Sequence, residues 1–377
     1  MPNKKLKIGY ITSSLSSHGG WDRYSQGIIE SAAKVVDAIV LTRKDANNEN
    51  NTLKINKVLP TKDNSFNFIT QINVFLNCLR YFKGCDGIHV MVEPYGSGAA
   101  LASVFLRIPF FLTIAGTYSV IPGGYSPKNF FKRQLMKFMY WRSSLVATGS
   151  IKNIELIEKF TKLGNWKFIP FGVDPKIFYQ MESVKKENPP FIFTVGGVKP
   201  RKGADVTIEA LGLLKNEFPN LHYKIVGETK SAEGFVSHLK ELVKKHGLEN
   251  RVHFVGRVTD DQLRELYNQC SIMVLAAQTR DGAFEGFPMV YYESQACGVP
   301  IVTTKGFGSE YVVKDGYNGF LVDEDDIQGI AEAIRKILSN PALHKEMIKN
   351  SISEASKNTW DHTARFYLDV YNEVINK

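Results

Sequence analysis

Cysteine is scarce in this chain: 377 residues hold four, Cys78, Cys85, Cys270 and Cys297. No two of them form a C-x-x-C pair and no histidines stand beside them at zinc-ligand spacing, so neither a disulfide framework nor a structural zinc site is predicted. Long apolar runs are missing as well. The greasiest stretch, AALASVFLRIPFFLTIAG, is broken by Arg107 and Pro109, and a bilayer span needs roughly 20 uninterrupted residues. It reads as a helix followed by a strand. The opening MPNKKLKIGYITSS has lysines before a short apolar run and no small-residue cleavage site, the pattern of a first β-strand instead of a signal peptide. A cytoplasmic protein is expected. Acidic clusters at metal-ligand spacing are also lacking, which predicts chemistry without a metal.

What is present is an ordinary globular composition, 44% hydrophobic and 23% charged, which argues against bulk disorder. The length suits two domains. Apolar runs of strand length alternate with helical patterns throughout. LKIGYIT, DAIVLT, GIHVMV, PFFLTIA, SLVATG and WKFIPF make a first set; FIFTVG, LHYKIVG, RVHFVG, SIMVLA, VPIVTT and GFLV make a second. Such alternation predicts an α/β protein with two Rossmann-like, doubly wound parallel-sheet domains facing a cleft. The polar YQMESVKKENPP between the sets reads as the linker, giving domains 1–178 and 190–357 with 179–189 between them. Ligands of such sheets sit beyond the carboxyl ends of the strands, so SSLSSHGGW, VGGVKPRKG and AAQTRDGAFEGFP are the loops to search.

Two segments carry the chemistry. In VGGVKPRKGAD, glycines follow a strand and Lys199, Arg201 and Lys202 precede a helix, an arrangement suited to a diphosphate and equally to a basic turn capping a helix. Its spacing fits neither the P-loop nor the dinucleotide fingerprint. In EGFPMVYYESQACGVPIV, Pro288 suits the first position of a helix, leaving Glu285 in the preceding loop and Glu293 inside the helix. Two carboxylates that accept hydrogen bonds from sugar hydroxyls, flanking amides that suit a phosphate, match a sugar nucleotide. The plainer reading makes Glu285 a helix-start acid and Glu293 a partly exposed residue of an amphipathic helix.

EGFPMVYYE resembles the Glu-x7-Glu motif of the retaining glycosyltransferases of family 4, and further segments match in family order. SLSSHGGWDRYSQGI is similar to that family's Gly-Gly loop and helix, FIPFGVDPKIF to its segment before the linker, VGGVKPRKGADVTIEAL to its diphosphate loop and GSEYVVKDGYNGFLV to a later conserved segment. The resemblance implies the glycosyltransferase B fold, with a C-terminal helix within 358–377 returning to the first domain. It implies that Lys202 binds the donor diphosphate with Arg201 assisting. Glu285 addresses the transferred sugar, the amides from Gly286 through Phe287, Pro288 and Met289 to Val290 border sugar and phosphate, and Glu293 holds the ribose. Gly19 and Gly20 admit the donor phosphates, and Arg257 and Val258 border the base. Two positions depart from the pattern: Gly197 stands where the family has Arg, shifting charge neutralisation toward Lys199 and Arg201, and Ala115 stands where the family often has His.

The function implied is retaining transfer of a sugar from a nucleotide-diphosphate sugar to an acceptor hydroxyl, in glycan, glycolipid or surface-polysaccharide synthesis. The sugar nucleotide is a co-substrate and no further cofactor is expected. A sugar-nucleotide epimerase of the same architecture and a non-catalytic sugar-nucleotide or membrane-binding protein are the alternatives. Trp21, Asp22 and Arg23 are acceptor-side candidates, although Asp22 also suits a cap or a pair with Arg23. Residues 1–175 carry about eleven more Lys and Arg than Asp and Glu, a field that suits a nucleic acid, a phospholipid surface or a phosphorylated substrate, and equally a solvated basic surface with no partner. No nucleic-acid partner is expected, and an anionic membrane, bound peripherally through the basic first domain, is a candidate partner. Within KNFFKRQLMKFMYW, Lys128, Lys132, Arg133 and Lys137 fall on one half of a helical wheel and Phe130, Phe131, Leu135, Phe138 and Trp141 on the other. Either sheet packing by the apolar half or attachment to a membrane accounts for that pattern.

Overall fold

The computed structural model describes residues 5–16, 19–48, 52–61, 67–114 and 130–376. Ala115 and Lys128 lie outside the described residues. Two compact units emerge, residues 1–172 with 360–377, and residues 173–359.

In the first unit, chain order runs β1 (Lys7–Ile11), α1 (Gly20–Ala33), β2 (Asp37–Arg43), β3 (Lys54–Leu59), α2 (Phe68–Tyr81), β4 (Gly87–Val90), α3 (Gly96–Leu106), β5 (Phe110–Ile114), α4 (Phe130–Arg142), β6 (Leu145–Thr148), α5 (Ile151–Glu158) and β7 (Trp166–Phe168). The second has β8 (Phe191–Val195), α6 (Ala204–Leu214), β9 (His222–Val226), α7 (Glu233–His246), β10 (Val252–Gly256), α8 (Asp260–Gln269), β11 (Ile272–Leu275), α9 (Val290–Ala296), β12 (Ile301–Thr304), β13 (Gly319–Val322), α10 (Ile327–Leu338) and α11 (Pro341–Ser356), and α12 (Trp360–Ile375) belongs to the first unit again. The sheets run β3-β2-β1-β4-β5-β6-β7 and β10-β9-β8-β11-β12-β13. Every pairing is parallel. Helices cover both faces of such sheets, so central strands are continuously apolar; β4, β5, β6, β8, β11 and β12 are buried at every residue. Edge strand β3, KINKVL, is mostly half-exposed. Lys54, Asn56 and Lys57 break its apolar run and hide it from a search for such runs, and it is absent from the sequence reading for that reason.

The expected linker is corrected. The division falls between Gly172 and Val173, and residues 179–189 belong to the second unit. Its polar groups find partners there: Asn268 Oδ1 accepts from the Met181 amide at 2.7 Å, Lys186 donates to the Cys270 carbonyl at 2.6 Å, and Glu187 pairs with Lys224 at 2.7 Å. Charge marks a segment as polar without saying whether solvent or protein satisfies it.

The α4 wheel is corrected too. Met136, Met139 and Tyr140 are the buried residues of that helix, spaced at i, i+3 and i+4 as one helical face requires. Phe131 and Trp141, on the half that hydrophobicity alone would bury, are 82% and 74% exposed.

Helix α12 is tied to the first sheet through a buried polar chain. His89 Nδ1 meets the Tyr371 hydroxyl at 2.6 Å and Nε2 meets Thr113 Oγ1 at 2.8 Å. Thr113 continues to the Tyr367 hydroxyl at 3.0 Å, and Tyr367 to Tyr24 at 2.7 Å. Residues from β4, β5, α1 and α12 thus share one network, and His89 is a packed histidine of the core.

Just beyond β4, the buried Glu93 accepts a hydrogen bond from the Tyr140 hydroxyl at 2.8 Å. Burial pushes its carboxyl up to about 8, with the Tyr140 bond opposing. A folded pKa above the unfolded one means that stability is complete below about 4.5 and is lost as pH rises through about 8. Glu93→Gln keeps an acceptor for Tyr140 and removes the ionisation, so it should raise the melting temperature at pH 9 relative to the parent and leave it nearly unchanged at pH 5. Equal alkaline losses in both proteins, measured by calorimetry, would contradict this assignment.

Candidate active site

The strand order of the second sheet reverses between β8 and β11, and open α/β sheets bind ligands at such a switch point beyond the strand ends. Both loops singled out in the sequence leave from there. After β8 the chain passes Gly196 and Gly197, makes a tight turn over Pro200–Lys202, and enters α6 through Gly203. Gly203 has φ 64°, and a Cβ there would lie 1.7 Å from the Ala276 carbonyl oxygen, so only glycine permits this close approach of the two loops. The amide of Gln278 donates to the Arg201 carbonyl at 2.9 Å, joining them further.

At this junction Glu285 accepts from Arg201 Nε and from Lys202 Nζ, each at 2.7 Å. The Glu285 side chain is 8% exposed, Lys202 12% and Arg201 29%. Burial pushes the Glu285 carboxyl up, but the charges of Lys202 and Arg201 and their hydrogen bonds outweigh it and hold the carboxyl below its ordinary value. The site therefore presents one ionised carboxylate clasped by two cations. Lys199 is exposed, and its Cε lies 3.8 Å from where a Gly197 Cβ would stand. It reaches over the position at which the resemblance expects an arginine.

Helix α9 begins at Val290, with Met289 as its cap, two residues later than the start predicted at Pro288. The Pro288 carbonyl accepts from the Tyr291 amide at 3.2 Å, and Pro288 lies in the loop just ahead of the Met289 cap. Gly286, Phe287, Pro288 and Met289 form the connection between Glu285 and α9. Glu293 is buried and accepts from the Tyr267 hydroxyl of α8 at 3.3 Å; burial corrects the reading of it as a partly exposed surface residue. Arg257 and Val258 follow β10, whose last residue Gly256 accepts from the Gly227 amide at 2.9 Å, which keeps that loop at the same edge of the sheet. Arg257 is exposed.

Sequence reasoning passed over the braces of the Glu285 loop. Thr279 Oγ1 donates to Glu324 at 3.1 Å, Arg280 forms a two-pronged pair with Asp325, and the Asp325 amide donates to the fully buried Gln278 at 3.1 Å. The signal was the run DEDD after β13, which reads as solvated charge until the β11 and β13 loops are placed together.

The remaining candidates belong to the first unit. Gly19, at φ 106°, caps α1 and Gly20 opens it. Asp22 lies in the first turn and accepts from the Ser13 hydroxyl at 2.5 Å; α1 has no side-chain cap hydrogen bond, so the cap given as an alternative role for Asp22 is not formed. Trp21 and Arg23 are half-buried in that turn.

Residues 176–354 match the family model described as glycosyl transferases group 1. The chain is 27% identical over 300 residues to an uncharacterized glycosyltransferase of Methanocaldococcus jannaschii, a match covering 78% of this chain and 76% of that protein. It is 31% identical over 199 residues to a D-inositol 3-phosphate glycosyltransferase of a Nocardioides species, covering 50% of this chain and 42% of the relative, so it spans less than half of that protein's length. Among solved structures, sucrose-phosphate synthase from Thermosynechococcus elongatus superposes with a TM-score of 0.76 at 19% identity, covering 99% of this chain and all of that one. HepE of Anabaena in complex with UDP gives 0.76 at 20% identity, covering 98% and 100%. The fold is that of these proteins, two Rossmann-like parallel-sheet domains of the glycosyltransferase B type.

Proposed function

We propose, from the premise that residues 176–354 belong to the glycosyl transferases group 1 family, that this protein is a retaining glycosyltransferase using a nucleotide-diphosphate sugar. The observation that carries the reading is Glu285 held between Arg201 and Lys202 at the switch point of the second sheet. In the free protein the carboxylate balances both cations. An arriving diphosphate competes for the same guanidinium and ammonium groups, and Glu285, released in part, turns its acceptor oxygens to hydroxyls of the donor sugar.

As the bond from sugar to phosphate breaks, negative charge grows on the leaving oxygen, where Lys202 and Arg201 offset it without reorganising. Lys199, reaching over Gly197, adds a third cation. In this reading the departing phosphate oxygen takes the acceptor proton on the face from which the bond broke, which retains the anomeric configuration. Glu293 holds the ribose, Arg257 and Val258 border the base, and Trp21, Asp22 and Arg23 of the first unit serve the acceptor hydroxyl. No metal and no cofactor beyond the sugar nucleotide is assigned a role.

The test is a panel of labelled UDP-, GDP- and ADP-sugars; UDP-glucose comes first because HepE, of similar fold, has been solved with it. One donor should raise the melting temperature and be turned over, by transfer to an acceptor or by slow hydrolysis, at the same rate in excess EDTA. Epimerised donor without acceptor, or stabilisation with no turnover by any donor, would replace the transferase reading. Loss of turnover in EDTA restored by a divalent cation would end the metal-free one.

A further inference from the structure

The first unit carries large apolar side chains that its own core does not use. Phe131 and Trp141 of α4 and Ile69 and Phe68 of α2 are 82%, 74%, 78% and 69% exposed, and Phe105 of α3 is 65% exposed. Single exposed hydrophobic residues are commonplace. Here they are contiguous. Trp141 meets Phe138 at 6.1 Å between ring centroids, Phe138 lines a groove of about 240 Å³ with Leu135, Leu101, Ile72 and Phe75, and Phe75 meets Phe105 edge-on at 5.2 Å. Three helices therefore present one apolar surface with a furrow between them, and large contiguous patches of this kind mark interaction sites.

The charge around the patch has one sign. From Pro94 to Ile154 the sequence contains no Asp or Glu, and α2 has none either. Lys132, Arg133, Lys137 and Arg142 lie on α4, Arg107 caps α3 and Arg80 stands in the last turn of α2. Arg133 and Lys137 lie over the Phe160 ring, 5.4 and 5.6 Å from its centroid, and the three helices themselves contain no carboxylate. Two copies of the chain meeting through this face would bring like charges together. An anionic bilayer supplies both what the rings require and what the cations require: hydrocarbon beneath, phosphate around the margin.

We propose that the α2–α3–α4 face of the first unit docks on an anionic lipid bilayer, with Phe131, Trp141, Phe68, Ile69 and Phe105 entering the acyl boundary and the furrow seating a hydrocarbon segment of a lipid. No helix among the described residues is long and apolar enough to cross a membrane, so the attachment is to the surface. It deepens the expectation of an anionic membrane partner and does not depend on sugar transfer.

The experiment is co-sedimentation with extruded vesicles of phosphatidylcholine, alone or mixed with phosphatidylglycerol, using the full chain, the double variant Phe131→Ser/Trp141→Ser and the double variant Lys132→Glu/Arg133→Glu. The parent should pellet with the mixed vesicles, and each double variant should bind them at least about tenfold more weakly, with thermal unfolding and donor-induced stabilisation unchanged. Should the first pair fold poorly, Phe105→Ser probes the same surface from α3. Equal pelleting of parent and Ser variant overturns the proposal, as does a parent that stays in the supernatant with both vesicle types. A dimer of the parent that the Ser variant abolishes would assign the face to a second copy and overturn it as well. Vesicle binding without any response to sugar nucleotides would keep the docking surface and defeat only the transferase reading; the converse would defeat only the docking.

Discussion

Lys202→Ala should lower turnover of the preferred sugar nucleotide about 100- to 1,000-fold, the usual cost of removing one preorganised group from a site of developing charge. Folding should survive. Breaking a buried pair outright costs about 3–5 kcal/mol because it strands a charge, but Arg201 still holds Glu285 at 2.7 Å in this variant. Glu285→Gln isolates the other partner. The amide keeps the shape and one acceptor for the two cations while removing the charge that balances them, so diphosphate should bind at least as tightly as in the parent while turnover falls by a comparable factor. A split of that kind separates a group that acts on the sugar from one that acts on the phosphates. Because Lys202 and Arg201 hold its carboxyl below the ordinary value, Glu285 should stay ionised from pH 5 upward and contribute no inflection to the rate profile there. Turnover within a factor of about two of the parent in both variants, by steady-state assay, would remove the cluster from the chemistry.

Acid should unfold the first unit through His89. Burial, the one cause acting on this ring, lowers its pKa from 6.5 to about 3. A depressed pKa on a base means that the unfolded chain takes up the proton first, so stability is complete above about 6.5 and falls as pH drops toward 3. The shift is worth on the order of a few kcal/mol at the acid end, a large part of the roughly 5–15 kcal/mol that holds a domain together. His89→Gln removes the titration and keeps some hydrogen-bonding capacity toward Tyr371 and Thr113. It should be less stable than the parent at pH 7.5 and lose much less between pH 6.5 and 4.5. Parallel melting curves across that range, followed by circular dichroism, would show that His89 does not titrate on unfolding. The same network fixes α12 on the first unit, so release of α12 should accompany the acid transition.

How much was legible depended on where the information lies. The central strands were readable because a parallel sheet covered on both faces demands uninterrupted apolar runs, and VGGVKPRKG and EGFP were readable as loops because Gly and Pro mark chain reversals. Strand β3 was not, since an edge strand tolerates lysines. The start of α9 was misplaced because Pro288 fits the loop just ahead of a helix cap as well as the first helical position. Residues 179–189 look like a linker by composition, yet their polar groups are satisfied by Asn268, Cys270 and Lys224, residues far along the chain. For α4, a wheel separates apolar from charged residues but cannot say which apolar arc the sheet will take; the methionine and tyrosine arc was taken and the aromatic one left outside.

By itself, the order of residues determined two doubly wound parallel sheets, the loops that end their strands and the residue types available there, because periodicity and turn chemistry are local properties of the chain. Only the tertiary structure decided that Glu285 sits between Arg201 and Lys202, more than eighty residues earlier, that His89 is locked into the core by a helix from the end of the chain, and that the rings of α2, α3 and α4 share one exposed face. Each is a juxtaposition of distant segments, and strand order, which no local pattern encodes, brings them together.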